Sequence, residues 1–296
     1  MPESVLEAEV RSQPDCWQAA AGAAGQHRDV LPASGERVAV IGCGTSLYVA
    51  RAYAYLRESL GFGSTDAWPA SEARLKRGYD RLIAITRSGT TTEVLHTLEQ
   101  FQGKAPVTVI TAPEGTPVYK LAEVIGLTEF DERSVVQTRF ATSTLALLRA
   151  HLGEDLTPVI AQARAILAKP VTDLDTVRAA GQFTFVGMGL GAALAEEAAL
   201  KLRESTQSWA EAYHATEYRH GPVAIAEPGR TVWAFGPLVP GFERDVAATG
   251  AHLEHTANDP MAELIRVHLT CLLRARDLGM DPGSPRHLER SVILDP

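Results

Sequence analysis

Between Glu196 and Pro222 the chain reads EEAALKLRESTQSWAEAYHATEYRHGP, a run that gathers Lys201, Glu204, Glu211 and His220 within 20 residues. On a helix Lys201 and Glu204, three apart, and Glu197 and Lys201, four apart, share one face. An acid-rich helix is expected here, broken at His220-Gly221-Pro222, where glycine and proline end it and hold the imidazole at its exit. A carboxylate and an imidazole fixed near one another can move protons to and from carbon and oxygen.

A second run, Thr86-Arg87-Ser88-Gly89-Thr90-Thr91-Thr92-Glu93, lies between an apolar strand and the helix TEVLHTLEQF. Its hydroxyls and backbone N–H groups, backed by the helix dipole, form a cradle suited to a phosphate, to which Arg87 adds a charge. Thr45 and Ser46 follow Gly42-Cys43-Gly44 and come from the adjacent strand end, where ligands of open parallel sheets collect. The glycine pattern there, Gly42-x-Gly44-x-x-Leu47, lacks the third glycine of a dinucleotide fingerprint, so a nicotinamide cofactor is not expected. No other cofactor and no metal is called for.

Each piece has an ordinary reading beside the chemical one. A Ser/Thr-Gly loop is also a common helix start. Glu204 alone reads as a solvated carboxylate or as an ion-pair partner of Lys201 or Arg203, and His220 alone as a satisfied loop histidine. Glu196, Glu197, Glu211 and Glu217 read as surface or supporting charges. The sequence does not decide whether His214 and His287 reach a pocket.

The elements that would position these residues repeat. A strand, RVAVIGCG (37–44), leads into the helix TSLYVARAYAYLRES, and FTFVGMG (183–189) leads into LGAALAEEAALKLRES. Both helices close on Leu-Arg-Glu-Ser, at Leu56–Ser59 and Leu202–Ser205. Further strands are RLIAITRSG (81–89), PVTVIT (106–111) and RTVWAFGPL (230–238). Buried strands alternating with helices imply an α/β fold with parallel sheets. The stretch 151–170 reads as a helix with a break on each side and marks the seam between halves, and 261–279 reads as a last helix. After its second strand the second copy continues Gly236-Pro237-Leu238-Val239-Pro240-Gly241, without hydroxyls, so one anion site per chain is expected.

With 296 residues, 45% hydrophobic and 22% charged, the chain is that of a globular protein large enough for two cores. A formal net charge of −8 without a basic run argues against nucleic acid and against an anionic membrane as partners. Three cysteines, Cys16, Cys43 and Cys271, show no metal or disulfide spacing and fit a reducing cytoplasm. Acidic residues at Glu3, Glu7 and Glu9 do not fit a signal peptide, and no apolar stretch reaches membrane-spanning length.

Taken together, CGTS (43–46), TRSGTTTE (86–93), SVVQTR (134–139), KLRES (201–205), EAYHATEYRHGP (211–222) and PRHLERSV (285–292) resemble tandem sugar isomerase (SIS) domains. The likeness is to the isomerase half of glucosamine-6-phosphate synthase and to stand-alone phosphosugar isomerases, amino-sugar-phosphate deaminases and fructosamine-phosphate deglycases. It runs from about residue 5 to the C-terminus. It implies two SIS domains related by internal duplication, each a flavodoxin-like or Rossmann-like αβα sandwich: a helical segment 1–32, a first domain 33–165 with the phosphate loop, and a second, 166–296, with the catalytic helix and tail.

By position, the resemblance implies that Cys43, Gly44, Thr45, Ser46, Thr86, Arg87, Ser88, Gly89, Thr91, Val135 and Arg290 surround a sugar phosphate. It makes Glu204 the base between C1 and C2, Lys201 its companion, and His220 the ring-opening group, presented to a neighbouring subunit of a two-fold homodimer with shared pockets. Two departures stand out. The synthase carries an N-terminal glutaminase domain that this chain has no room for, so glutamine-dependent amination is not expected. Where the synthase tail has an imine-forming lysine, this chain has Arg290, whose guanidinium stays protonated and forms no imine. It can still hold a carboxylate, a phosphate or a hydroxyl. The expectation is a cytoplasmic isomerase or deaminase/deglycase acting on a hexose phosphate, the latter favoured because an amino-sugar or fructosamine phosphate brings its own nitrogen. A sugar-phosphate sensor without catalysis is the alternative.

Overall fold

The computed structural model describes residues 4–294. Glu3 and the outermost ends of the segments 1–32 and 166–296 lie outside the described residues. The chain divides into two compact units. One comprises Asp15–Arg133, Gln137–Leu156 and Glu289–Pro296; the other comprises Met1–Pro14, Ser134–Val136 and Thr157–Leu288. Helix α1 (Val5–Ala23) contributes to both.

In the first unit come β1 (Val38–Gly42), α2 (Thr45–Ser59), β2 (Thr65–Pro69), β3 (Arg81–Ile85), α3 (Thr92–Phe101), β4 (Val107–Thr111), β5 (Glu123–Gly126) and α4 (Arg139–His151). Their sheet is parallel, in the order β2-β1-β3-β4-β5. Continuous apolar runs such as VAVIG and RLIAI become strands because helices cover both faces of a parallel sheet. Ala39, Ile41, Leu82 and Ala84 of β1 and β3 meet Val94, Leu98 and Phe101 of α3 in one buried cluster. Gly42 is required by the turn from β1 into α2, since a Cβ there would come within 2.6 Å of the Ser46 carbonyl carbon. Buried Arg57 ties this unit's loops: its guanidinium donates to the carbonyls of Ala33, Glu36 and Gly63 and to Thr65 Oγ1.

The second unit holds α5 (Thr157–Ala168), α6 (Asp175–Arg178), β6 (Phe183–Gly187), α7 (Leu190–Thr206), β7 (Ala210–His214), β8 (Thr231–Phe235), α8 (Phe242–Ala247), β9 (His252–His255) and α9 (Pro260–Asp277). Its parallel sheet has four strands, ordered β7-β6-β8-β9. Phe185 of β6 stacks on Trp233 of β8 at 5.7 Å between ring centroids, and Trp233 Nε1 donates to Glu263 of α9 at 2.8 Å. α9 packs along α7.

Two expectations are corrected here. The long helix to His220 ends at Thr206. Thr206 Oγ1 bonds back to the Leu202 carbonyl, and Gln207 takes a left-handed conformation with φ 54° that caps the helix. Residues 210–214 then pair as β7 with β6, Phe183 opposite Ala210. Nor are the two units copies element for element, with five strands in one and four in the other. The shared Leu-Arg-Glu-Ser carries different work, because Arg57 is buried among carbonyls whereas Arg203 is exposed and bonds the Ala210 carbonyl. Among the described residues no helix is long and apolar enough to cross a membrane.

Candidate functional site

The hydroxyl loop leaves the end of β3 and enters α3. Gly89 turns it with φ +65°, and a Cβ there would lie 2.3 Å from Thr116 Oγ1, so no larger residue fits. Thr91 precedes α3 without capping it with its side chain. Thr45 and Ser46, buried in the first turn of α2, and Cys43 complete one end of the first unit's sheet, with the N-termini of α2 and α3 opening on it. Cys43, Ser46, Thr86, Arg87, Ser88 and Thr91 line one cavity of about 30 Å³, closed by Gln137 and Arg290. Burial, and then the nearby Glu93 carboxylate, push the Cys43 thiol up to about 11, so it is a neutral wall and no nucleophile.

The tail fills this cradle. Ser88 Oγ and Thr90 Oγ1 donate to Ser291 Oγ at 3.1 and 3.0 Å, with Thr91 Oγ1 at 3.5 Å, and the Thr92 N–H donates to the Val292 carbonyl at 3.3 Å. The remaining space admits no more than about two waters, so a phosphate group needs the Ser291 hydroxyl to move. Arg290 turns its guanidinium to the Asp131 carboxylate and the Glu132 carbonyl. Its own carbonyl accepts from Arg87 Nη2 at 3.0 Å, and Arg87 Nη1 lies 3.9 Å from Glu132 Oε2. Glu132 also caps α4, accepting from the Thr138 and Arg139 N–H groups at 2.5 and 2.8 Å. The charge that Arg87 brings is therefore already balanced by a buried carboxylate.

In the second unit α7 carries the ionisable cluster. Lys201 Nζ lies 2.6 Å from Glu204 Oε2 and 3.4 Å from Glu197 Oε1. The lysine and Glu197 are buried, while the Glu204 side chain keeps 17% of its surface exposed. A buried ammonium between two carboxylates fixes the orientation of the exposed one. Beneath it, α9 contributes His268, whose Nδ1 is 3.1 Å from Gln13 Nε2; burial, and then the Lys201 charge, lower it to about 3. Burial raises the Cys271 thiol of the same helix to about 12. Glu204 opens instead on a cavity of about 280 Å³, with Gln207 and Ser208 beside it and residues 285–288 opposite.

Of the residues expected at the site, Cys43, Ser46, Thr86, Arg87, Ser88, Thr91 and Arg290 meet at one cavity, and Lys201 and Glu204 meet at another place. Gly44 and Gly89 shape the turns at the cradle, and Thr45 is buried beside it. Val135 does not line the cradle; its N–H donates to the Gly283 carbonyl at 2.9 Å. His220 is exposed at the end of a single 3-10 turn and lines neither cavity. Glu197, read as a surface or supporting charge, is buried against Lys201, a pairing that its i,i+4 spacing signals. Ser291 and His268 reach their places through contacts between residues far apart in the chain, for which the sequence has no local signal, and Glu132 meets Arg87 in the same way.

The hydroxyl loop at the carboxyl end of a five-stranded parallel sheet is matched by comparison with known proteins. Residues 33–152 match the family model of the SIS domain. The two SIS domains expected from the repeat reduce to one, because the match stops at 152, before the four-stranded sheet begins. Beyond the SIS domain the likeness covers most of the chain. The isomerizing glutamine–fructose-6-phosphate aminotransferase of Methanothermobacter thermautotrophicus is 27% identical over 306 residues, 88% of this chain and 52% of that protein. The chain thus spans about half the length of the curated relatives it matches. Among solved structures, glucosamine-6-phosphate deaminase from Thermotoga maritima superposes with a TM-score of 0.81 at 22% identity, over 98% of this chain and 100% of that one. The C-terminal domain of glucosamine-fructose-6-phosphate aminotransferase from Francisella tularensis gives 0.81 at 20%, over 96% and 98%. At these identities the structural likeness is one of fold.

Proposed function

We propose that this protein is an enzyme that moves a proton between adjacent carbons of an open-chain hexose phosphate, as an aldose–ketose isomerase or as a deaminase or deglycase of the corresponding amino sugar. The observation that carries this reading is the Lys201–Glu204 pair, 2.6 Å apart, with the carboxylate facing a cavity and the ammonium buried behind it. Proton abstraction next to a carbonyl needs a base held in one orientation and kept anionic until it acts. Within the first unit the hydroxyl loop offers a phosphate site through Ser46, Thr86, Ser88 and Thr91 and the N-termini of α2 and α3, once the Ser291 hydroxyl moves aside. His220, exposed on its turn, opens the sugar ring in the pocket of a second copy in a homodimer. The names of the similar proteins, an aminotransferase that isomerises fructose 6-phosphate and a glucosamine-6-phosphate deaminase, support this substrate class.

With Arg290 engaged by Asp131, the tail offers no amine for an imine, so a substrate carrying its own nitrogen is favoured over a plain ketose phosphate. The same engagement favours the second reading, a non-catalytic sugar-phosphate sensor. Isothermal titration of hexose phosphates and amino-hexose phosphates, followed by product analysis, separates the two: binding with turnover supports the enzyme, and binding without turnover supports the sensor.

A further inference from the structure

Among the residues that line the Glu204 cavity, two have side chains of the kind that serve as acid–base groups in catalysis. Arg203, Gln207, Ser208, Pro285, Arg286 and Leu288 make up the rest of the lining. The two are Glu204 and His287. Lys201 is buried behind Glu204, between two carboxylates, and cannot reach a ligand in the cavity without giving them up. The backbone on this cavity is left-handed at two positions. Among the described residues two that are not glycine have positive φ, Gln207 at 54° and His287 at 63°, and both stand on this cavity. Gln207 is explained as the cap that ends α7. His287 follows Arg286 in a turn, where a left-handed residue closes the bend.

We propose that His287 is the second acid–base group of the reaction, serving the oxygens while Glu204 serves the carbons; this rests on the reading of Glu204 as base. Glu204 takes the proton from C2 of the open-chain aldose. The C2–H electron pair forms the C1–C2 double bond, and the C1=O1 π pair moves onto O1, which takes a proton from the His287 imidazolium. The neutral imidazole then removes the O2 proton. As the C2=O2 bond forms, the C1–C2 π pair takes the proton back from the Glu204 carboxyl at C1. The ketose results, with both groups in their starting states. Arg203 and Arg286 are the charged neighbours that complete the cavity beside these two.

The test uses the full chain with fructose 6-phosphate, glucose 6-phosphate and glucosamine 6-phosphate in D2O, following solvent exchange at C1 and C2 by proton NMR. His287→Gly removes the imidazole and suits the left-handed backbone, so it should slow exchange about 100-fold or more while the melting temperature holds or rises by about 2 °C. Added imidazole should restore part of the rate in His287→Gly. In His287→Asn, which keeps a hydrogen-bonding side chain that cannot relay a proton, it should not. Exchange by His287→Gly within threefold of wild type, with Glu204→Gln inactive, overturns this proposal alone. Exchange retained by Glu204→Gln overturns the reading of the base. No exchange by the wild-type protein with any of the three overturns both.

Discussion

Lowering the pH from 7 to 5 should destabilise this protein most through His268, while burial also lowers His27 and His151. His268 is fully buried beside Lys201, accepts from Gln13 at Nδ1, and leaves Nε2 without a hydrogen-bond partner among the described residues. Burial, then the lysine charge, lower it to about 3, against about 6.5 in the unfolded chain. Between these values the unfolded state binds the extra proton, so stability rises with pH across that window and is lost as pH falls through it. Over the full window the linkage amounts to about 5 kcal/mol; between pH 7 and pH 5 it is about 2 kcal/mol. The comparison is urea unfolding of wild type and His268→Gln at both pH values, since glutamine keeps the acceptor for Gln13 but does not titrate. Wild type should lose about 2 kcal/mol more than the variant between pH 7 and 5. Equal losses would refute the claim that a neutral histidine is enforced under the Lys201–Glu204 pair.

Further outcomes follow from single side chains. Lys201→Met removes the ammonium 3.4 Å from the buried Glu197 carboxylate and should cost about 3–5 kcal/mol in denaturant unfolding, whereas Glu204→Gln should cost little stability. Arg57→Met strands three carbonyls that the guanidinium now serves and should lower stability by about 3 kcal/mol or more. Ser291→Ala releases the hydroxyls of Ser88 and Thr90 and should tighten binding of inorganic phosphate several-fold by titration calorimetry; weaker binding would show that Ser291 belongs to the ligand's own contacts. Gly89→Ala forces a Cβ against Thr116 at a positive φ, so phosphate binding should be lost together with about 1–3 kcal/mol of stability.

The strands legible in the sequence are those buried on both faces. VAVIG, RLIAI, VTVIT, FTFVG and TVWAF announce themselves as apolar runs because their neighbours cover them completely. β2, β5, β7 and β9, reading TDAWP, EVIG, AEAYH and HLEH, sit at the sheet edges, half-covered, and mix polar with apolar residues. Only pairing with an inner strand defines them. The Lys201–Glu204 pair was legible because helix geometry sets i,i+3 contacts locally, and the hydroxyl loop because it adjoins its own helix. The repeat of Leu-Arg-Glu-Ser misled because letters recur while environments do not: Glu58 accepts the N–H of Thr65 at 2.7 Å, and Glu204 pairs with a lysine whose counterpart in the first stretch is the exposed Tyr55. Ser291 against Ser88, 203 residues apart, depends on tertiary structure alone.

Proton NMR in D2O of wild type and Glu204→Gln with hexose phosphates and amino-hexose phosphates tests the central claim most directly. The account predicts loss of the C1 or C2 proton signal with wild type, and a rate about 100-fold lower or less with the variant. Equal exchange by the two proteins would contradict the role of Glu204, and saturable binding without any exchange would contradict catalysis itself.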